Sequence, residues 1–187
     1  HCLGVPSGTI AITMSLMGMG IGPGDEVIVP DLTFIATANA VRLAGATVVL
    51  ADVRAERFDL DPQKVEKLVT KKTKAIVPVD VNGRGVDYSF YETFCKKHGL
   101  ALICDSAEAL GSKYQGRYLG TFGDAGCFSF SANKTLTTGQ GGMIATQSTT
   151  LYNRLLELKD QGRRQQGTGG NDLHPVMGYN FKLTNLQ

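Results

Sequence analysis

Leu100–Cys104 reads LALIC, a run without a single polar side chain, bounded by Gly99 before it and Asp105 after it. A segment so short and so uniformly apolar fits a strand buried on both faces, as in parallel sheets covered by helices. Comparable short strands are expected at Glu26–Pro30 (EVIVP), Thr47–Val53, Lys74–Val81, Gly126–Ser131 and Met143–Thr146. Helical patterns alternate with them. Ser7-Gly8-Thr9 is a helix start with a hydroxyl cap, and residues 33–44 place Phe34, Ala38, Val41 and Ala44 on one face. Asp61-Pro62 supplies an N-cap acid with proline at the first helical position, opening a helix to about Val69. Residues 88–98 form an amphipathic helix stopped by Gly99, and residues 149–160 align Leu151, Leu155 and Leu158. Strands alternating with helices in this way predict an α/β fold, a three-layer α/β/α arrangement around a mostly parallel sheet. Ligands of such sheets bind beyond the carboxyl ends of the strands.

With 187 residues, one domain spanning residues 1–187 is the natural reading. Folding at this length buries roughly 70% of the unfolded chain's surface, so no staples are needed. The 23 glycines are neither periodic nor low-complexity and sit at junctions between apolar runs, as tight turns require. Nineteen basic residues against 17 acidic ones leave a net charge of +2, which gives no electrostatic case for nucleic acid or a polybasic membrane anchor. The four cysteines (Cys2, Cys95, Cys104, Cys127) are far apart, as are the three histidines. Buried reduced thiols in a cytosolic protein are therefore expected, without a disulfide framework or a metal site. No apolar run approaches the roughly 20 residues of a membrane span. No signal peptide opens the chain, although it starts at His1 and a preceding segment stays open.

Three features carry chemistry. Asp105 ends the LALIC strand, as either a helix cap or a functional carboxylate at the sheet edge. Lys134 follows the strand GCFSF within Ser131-Ala132-Asn133-Lys134-Thr135, whereas most other lysines lie on solvated helix faces. A lysine in such a loop is open to partial desolvation, and a neutral amine is what carbonyl attack and Schiff-base formation need. Ser7-Gly8-Thr9 offers backbone N–H groups to an anion at a helix N-terminus, and Thr137–Gly142 is either a close-approach loop or merely a tight connection. Neither the dinucleotide fingerprint nor the Walker pattern occurs. A phosphorylated pyridine aldehyde would use all these parts together: lysine at the carbonyl, carboxylate at the ring nitrogen, helix N-terminus at the phosphate.

The ordered series SGTIAI, GPGDEVIVPDLTFIATANAV, AGATVVLADV, FDLDP, KAIVPVDVNGRGVD, ICDSAEALGS, GTFGDAGCFSFSANKTLTTGQGG and GYNFKLTNLQ covers nearly all of the chain. It resembles the DegT/StrS-type nucleotide-sugar aminotransferases, pyridoxal-phosphate enzymes of the aspartate-aminotransferase fold. The resemblance implies that Lys134 forms the covalent link to the cofactor and moves the substrate proton, while Asp105 keeps the pyridine nitrogen protonated. Glu108 falls where the cofactor's ring hydroxyl is contacted, a place where many members carry glutamine. Phe34 would stack over the ring, the alternative being a helix-core phenylalanine. Gly8, Thr9 and Ser129 would bind the phosphate. Asn180 would reach the phosphate of the neighbouring subunit in a homodimer, the alternative being a loop cap.

Cys104 stands where the family often has glutamate. Members with histidine in place of the lysine dehydrate or deoxygenate, and Lys134 points away from that branch. NKTLTTGQGG is similar to perosamine-type 4-aminotransferases of O-antigen synthesis. Family chains are about twice this long, so the resemblance implies a catalytic large domain lacking an N-terminal segment and a C-terminal small domain.

The expected activity is amino transfer from glutamate to a keto group of a nucleotide-linked deoxy sugar, in the cytoplasm. The alternatives are a cofactor-binding regulatory or inactive module, and a nicotinamide dehydrogenase, which lacks its glycine fingerprint here. Arg163 and Arg164, in the polar stretch 161–175, are either diphosphate contacts or solvated loop residues.

Overall fold

The computed structural model describes residues 1–163 and 173–185. In chain order the elements are β1 (Cys2–Val5), α1 (Gly8–Gly18), β2 (Glu26–Pro30), α2 (Ala36–Leu43), β3 (Thr47–Ala51), α3 (Pro62–Leu68) and β4 (Thr73–Ile76). A 3-10 turn at Val81–Gly83 then leads to α4 (Tyr88–His98) and β5 (Ala101–Asp105). A small hairpin of β6 (Lys113–Tyr114) and β7 (Arg117–Tyr118) follows, and then β8 (Ala125–Ser129), β9 (Gly142–Ala145) and α5 (Thr149–Lys159).

The main sheet has seven strands in the order β1-β9-β8-β5-β4-β2-β3. Pairings from β8 through β5, β4 and β2 to β3 are parallel, and β9 runs antiparallel to both β8 and β1. Alternation along each strand divides the core into two layers. Val27, Val29, Ala75, Val77, Ile103, Cys127 and Ile144 pack with α1, α2 and α5 on one face. Ile28, Ile76, Leu102 and Cys104 pack with α3 and α4 on the other. The architecture is thus the expected three-layer α/β/α fold.

Helix ends follow the local chemistry. Ser7 caps α1 by accepting from the Ile10 N–H at 3.2 Å, and Asp61 caps α3 by accepting from Gln63 at 2.9 Å. Gly99 closes α4 at φ 65°, a backbone state that glycine adopts without penalty. Gly126 is required by space: a Cβ there would fall on the Gly120 carbonyl oxygen.

Several boundaries differ from the sequence reading. The second helix begins at Ala36 rather than residue 33, which leaves Phe34 outside it and 76% exposed, so the helix-core reading of Phe34 is wrong. Regular pairing in β4 stops at Ile76, just before Pro78, which has no N–H to give a ladder. Asp105 is the last residue of β5, its N–H donating to the Pro78 carbonyl at 2.9 Å. Strand β1 was not anticipated, since it is a short edge segment paired only with β9. Nor was the β6–β7 hairpin, whose turn residues Gln115 and Gly116 both have positive φ, 49° and 84°. Cys95, Cys104 and Cys127 are buried, as expected, but Cys2 is exposed on the edge strand.

Candidate active site

The loops that follow β2, β4, β5 and β8 converge with the start of α1 around a cavity of about 740 Å³. Gly8, Thr9, Phe34, Asp105, Glu108, Ser129 and Lys134 all line it. Fold topology alone brings these residues together, since they are scattered over most of the sequence.

Asp105 sits at the floor, 5% exposed. Side-chain alternation puts it on the same sheet face as Ile103, toward α2. There Thr37 Oγ1 donates to its Oδ2 at 2.7 Å, and the Ala107 N–H donates to Oδ1 at 3.2 Å. The Ala107 contact is a local turn with no helix after it, so the helix-cap reading of Asp105 is wrong, and its carboxylate lines the cavity. Burial raises its pKa above the ordinary aspartate value, against the opposing pull of the Thr37 and Ala107 hydrogen bonds and of nearby Lys134.

Lys134 enters from the loop after β8, where its N–H donates to the Ser131 carbonyl at 3.0 Å. Its Nζ lies 3.2 Å from Glu108 Oε1, with the lysine side chain 15% exposed. The other Glu108 oxygen accepts the Asn82 N–H at 3.0 Å, presented by a residue in the left-handed region at φ 53°. That backbone hydrogen bond, followed by the bond and charge of Lys134, holds the Glu108 carboxyl below the ordinary glutamate value against its partial burial.

Where α1 begins, its first-turn N–H groups have no acceptor within the helix. A Cβ on Gly8 would come 2.8 Å from the Ser129 Cβ, so the absence of a side chain lets the Ser129 hydroxyl lie against the helix start. This corner suits an anion: N–H groups, a helix N-terminus and a hydroxyl face one space.

Thr37 and Phe58 are among the cavity residues that sequence reasoning missed. Thr37 is buried on α2, and its partner Asp105 lies 68 positions away, so no local pattern announces it. Phe58 lines the cavity while 49% exposed, at φ 61°, an uncommon conformation for a bulky residue. Its signal in the sequence was only an aromatic within FDLDP.

Asn180 does not line this cavity. It is exposed and forms an isolated antiparallel bridge with Asp160 after α5. The segment Thr137–Gly142 closes tightly, with the Phe130 N–H on the Gly141 carbonyl at 2.9 Å and the Thr138 N–H on the Phe130 carbonyl at 3.0 Å. Among its residues Gln140 reaches the cavity. Arg163 lies in the turn after α5, its N–H donating to the Asp160 carbonyl at 3.0 Å, and Arg164 lies outside the described residues.

A buried carboxylate, a lysine and an anion corner around one cavity of an α/β sheet define the class of a phosphorylated-aldehyde cofactor enzyme. The chain matches the model of the DegT/DnrJ/EryC1/StrS aminotransferase family over residues 1–187 and belongs to that family, whose enzymes depend on pyridoxal phosphate. It is 45% identical over 185 residues to the GDP-perosamine synthase of Escherichia coli O157:H7, covering 97% of this chain and 49% of that protein. The solved structure of Streptomyces venezuelae DesV in complex with a ketimine intermediate superposes with a TM-score of 0.94 at 39% identity, covering 100% of this chain and 49% of that one. That of Bacillus subtilis NtdA with bound cofactor PMP gives 0.90 at 31% identity, covering 100% and 42%. The chain spans about half the length of the curated relatives it matches.

Proposed function

We propose that residues 1–187 form the cofactor-binding large domain of an enzyme that moves an amino group from glutamate to a keto group of a nucleotide-linked deoxy sugar. Perosamine-type 4-amination is the favoured specificity, supported by the resemblance of the Lys134 segment and by the GDP-perosamine synthase relative. The working form in this reading is a cytoplasmic homodimer, with Asn180 reaching the phosphate bound to the neighbouring subunit. The observation that carries the proposal is the convergence of Lys134, Asp105 and the Gly8–Ser129 corner on one cavity.

The residues present fit pyridoxal phosphate. Gly8, Thr9 and Ser129 would hold the phosphate, Asp105 the ring nitrogen, Glu108 the ring-hydroxyl side and Phe34 the ring face. When bound, the group supplies an aldehyde that accepts and releases the amino group, and a protonated ring that withdraws electrons from the bond being broken. Lys134 would hold the group through its Nζ amine, and the same amine would be the base that carries the proton at the substrate carbon. Glu108 orients Lys134 through the 3.2 Å contact and is itself fixed by the Asn82 N–H. Asp105 requires its negative charge to keep a proton on the ring nitrogen. Thr37 and Ala107 stabilise that charge by donating to it.

The test is borohydride reduction of protein incubated with pyridoxal phosphate, followed by peptide mass mapping. A reduced adduct on Lys134 is the expected result, and bleaching of the cofactor absorbance by glutamate would add the amino-donor half of the reaction. A folded protein with no adduct, or with the adduct on another lysine, overturns the reading.

A further inference from the structure

Asp80, a second carboxyl group, lies beneath the candidate site with no part in the chemistry so far. It is fully buried, just before the 3-10 turn at Val81–Gly83, and its side-chain hydrogen-bonding partners are hydroxyls, with the Val86 N–H as a backbone donor. Tyr88 Oη donates to Oδ1 at 2.8 Å, and Ser106 Oγ donates to Oδ2 at 2.6 Å. The Asp80 N–H donates to the Asp105 carbonyl at 3.0 Å, so the two residues meet where the segment after β4 runs beside the end of β5. Their side chains diverge, Asp105 toward Thr37 on α2 and Asp80 toward Tyr88 on α4.

The titratable groups that bear on Asp80 are Tyr88 on α4 and Asp105 and Cys104 on β5. None of them brings a positive charge. The residues adjoin through their backbones, and the charge of Asp105 disfavours a second one on Asp80, so one negative charge on the two is the stable arrangement. The donors decide which group holds it. The Ala107 N–H on Asp105 can only donate and thus requires an acceptor, and Lys134 attracts negative charge to Asp105. Asp80 has two hydroxyl partners, which accept a proton as readily as they give one, and the Val86 N–H as a fixed donor, but no cation to match Lys134.

We propose that Asp80 is a positioning residue for Asp105: through Ser106 and the shared strand rung it holds the proton of the two, so that the negative charge stays on Asp105, the residue that would face the ring nitrogen. The functional part of this inference rests on the aminotransferase reading. The proton assignment does not.

Burial, as the largest cause, pushes the Asp80 carboxyl up to about 7, with the charge of Asp105 adding to the rise and the hydrogen bonds of Ser106, Tyr88 and the Val86 N–H opposing it. The Tyr88 phenol and the Cys104 thiol are both driven upward by burial, so they stay neutral over the range in which Asp80 titrates.

The experiment is a carboxyl-carbon NMR titration of aspartate-labelled protein without cofactor, from about pH 5 to about pH 9. Asp80→Asn and Asp105→Asn assign the two signals. The expected result is an Asp105 signal that ionises first and an Asp80 signal with its midpoint near 7. In Asp105→Asn, the Asp80 midpoint should fall by about one unit, because the neighbouring charge is gone. Tyr88→Phe keeps the ring packing, removes one donor and should raise the same midpoint, which provides a second test if Asp105→Asn does not fold. An Asp80 carboxyl ionised throughout the range, or a midpoint unmoved in both variants, overturns the inference. Because the titration needs no cofactor, its failure is distinguishable from failure of the Lys134 adduct test.

Discussion

Thr37 Oγ1 donates to Asp105 Oδ2 at 2.7 Å, joining the first turns of α2 to the end of the central strand β5. Thr37 in turn lies 3.0 Å from the Thr33 hydroxyl, so the segment that carries Phe34 is anchored to the carboxylate at the cavity floor. Position and charge are linked here, because the hydroxyl that locates α2 also stabilises the ionised form of Asp105.

Thr37→Val retains the shape and removes that donor. A buried acceptor left without its partner destabilises by about 1–3 kcal/mol, visible as a lower urea midpoint. The Asp105 pKa should rise further, weakening cofactor binding in an absorbance titration. Thr37→Ser, which keeps the hydroxyl, should recover most of both effects.

Lys134→Ala should abolish the borohydride-stable adduct while leaving the fold in place. The ion pair with Glu108 is partly solvated, and pairs of this kind contribute about 0–1 kcal/mol. Circular dichroism should therefore match the parent spectrum while mass mapping finds no reduced cofactor. An adduct that persists at any lysine would remove Lys134 from its role.

Much of this fold was legible because the signals were local. LALIC announced a buried strand, Asp61-Pro62 a helix start, and Gly99 a helix end, each within a few residues. The candidate site was legible in part, through the ordered motif series, which brought in Lys134, Asp105, Glu108 and Ser129. What escaped depended on distant partners. Thr37 gains its meaning from a carboxylate 68 positions away, and Asp80 from Tyr88 and Ser106, which no periodicity connects to it. Phe34 was assigned to a helix face because the apolar spacing continued one turn beyond the point where the backbone becomes helical.

Glu108→Gln separates charge from shape at the lysine's partner. A carboxyl held below its ordinary value adds stability that is present above its unfolded pKa and is lost as pH falls through the folded one. The parent should therefore exceed the variant modestly at neutral pH, within about 1 kcal/mol for a solvent-screened pair, and the two should converge in acid. Urea midpoints at about pH 7 and about pH 3 would show it. A constant gap between the two would mean that the charge of Glu108 contributes nothing.

Asp80 has the opposite sign. Its raised carboxyl keeps its proton in the folded state while the unfolded chain has already lost it, so stability falls as pH climbs from about 4 to about 7. A rise from 3.8 to about 7 corresponds to about 4 kcal/mol across that window. Asp80→Asn has no such proton to hold, and its stability should be flatter there. The expected outcome is that the parent loses stability relative to Asp80→Asn between about pH 5 and about pH 8. Parallel urea-midpoint curves for the two proteins would contradict it.

Gly8→Ala tests the anion corner by geometry alone. The new Cβ would lie 2.8 Å from the Ser129 Cβ and 3.4 Å from the Ser129 Cα, which is backbone and cannot rotate away. Relief requires α1 and β8 to separate by a few tenths of an ångström, and overpacking of this kind destabilises by about 1–3 kcal/mol. The same movement draws the helix N-terminus away from the Ser129 hydroxyl, so the loss should fall on the phosphate rather than on the aldehyde. Pyridoxal phosphate should therefore bind Gly8→Ala about tenfold or more weakly than the parent, a loss of about 1.4 kcal/mol or more. Pyridoxal without phosphate should bind the two proteins alike. Equal losses for both ligands would place the phosphate elsewhere in the cavity.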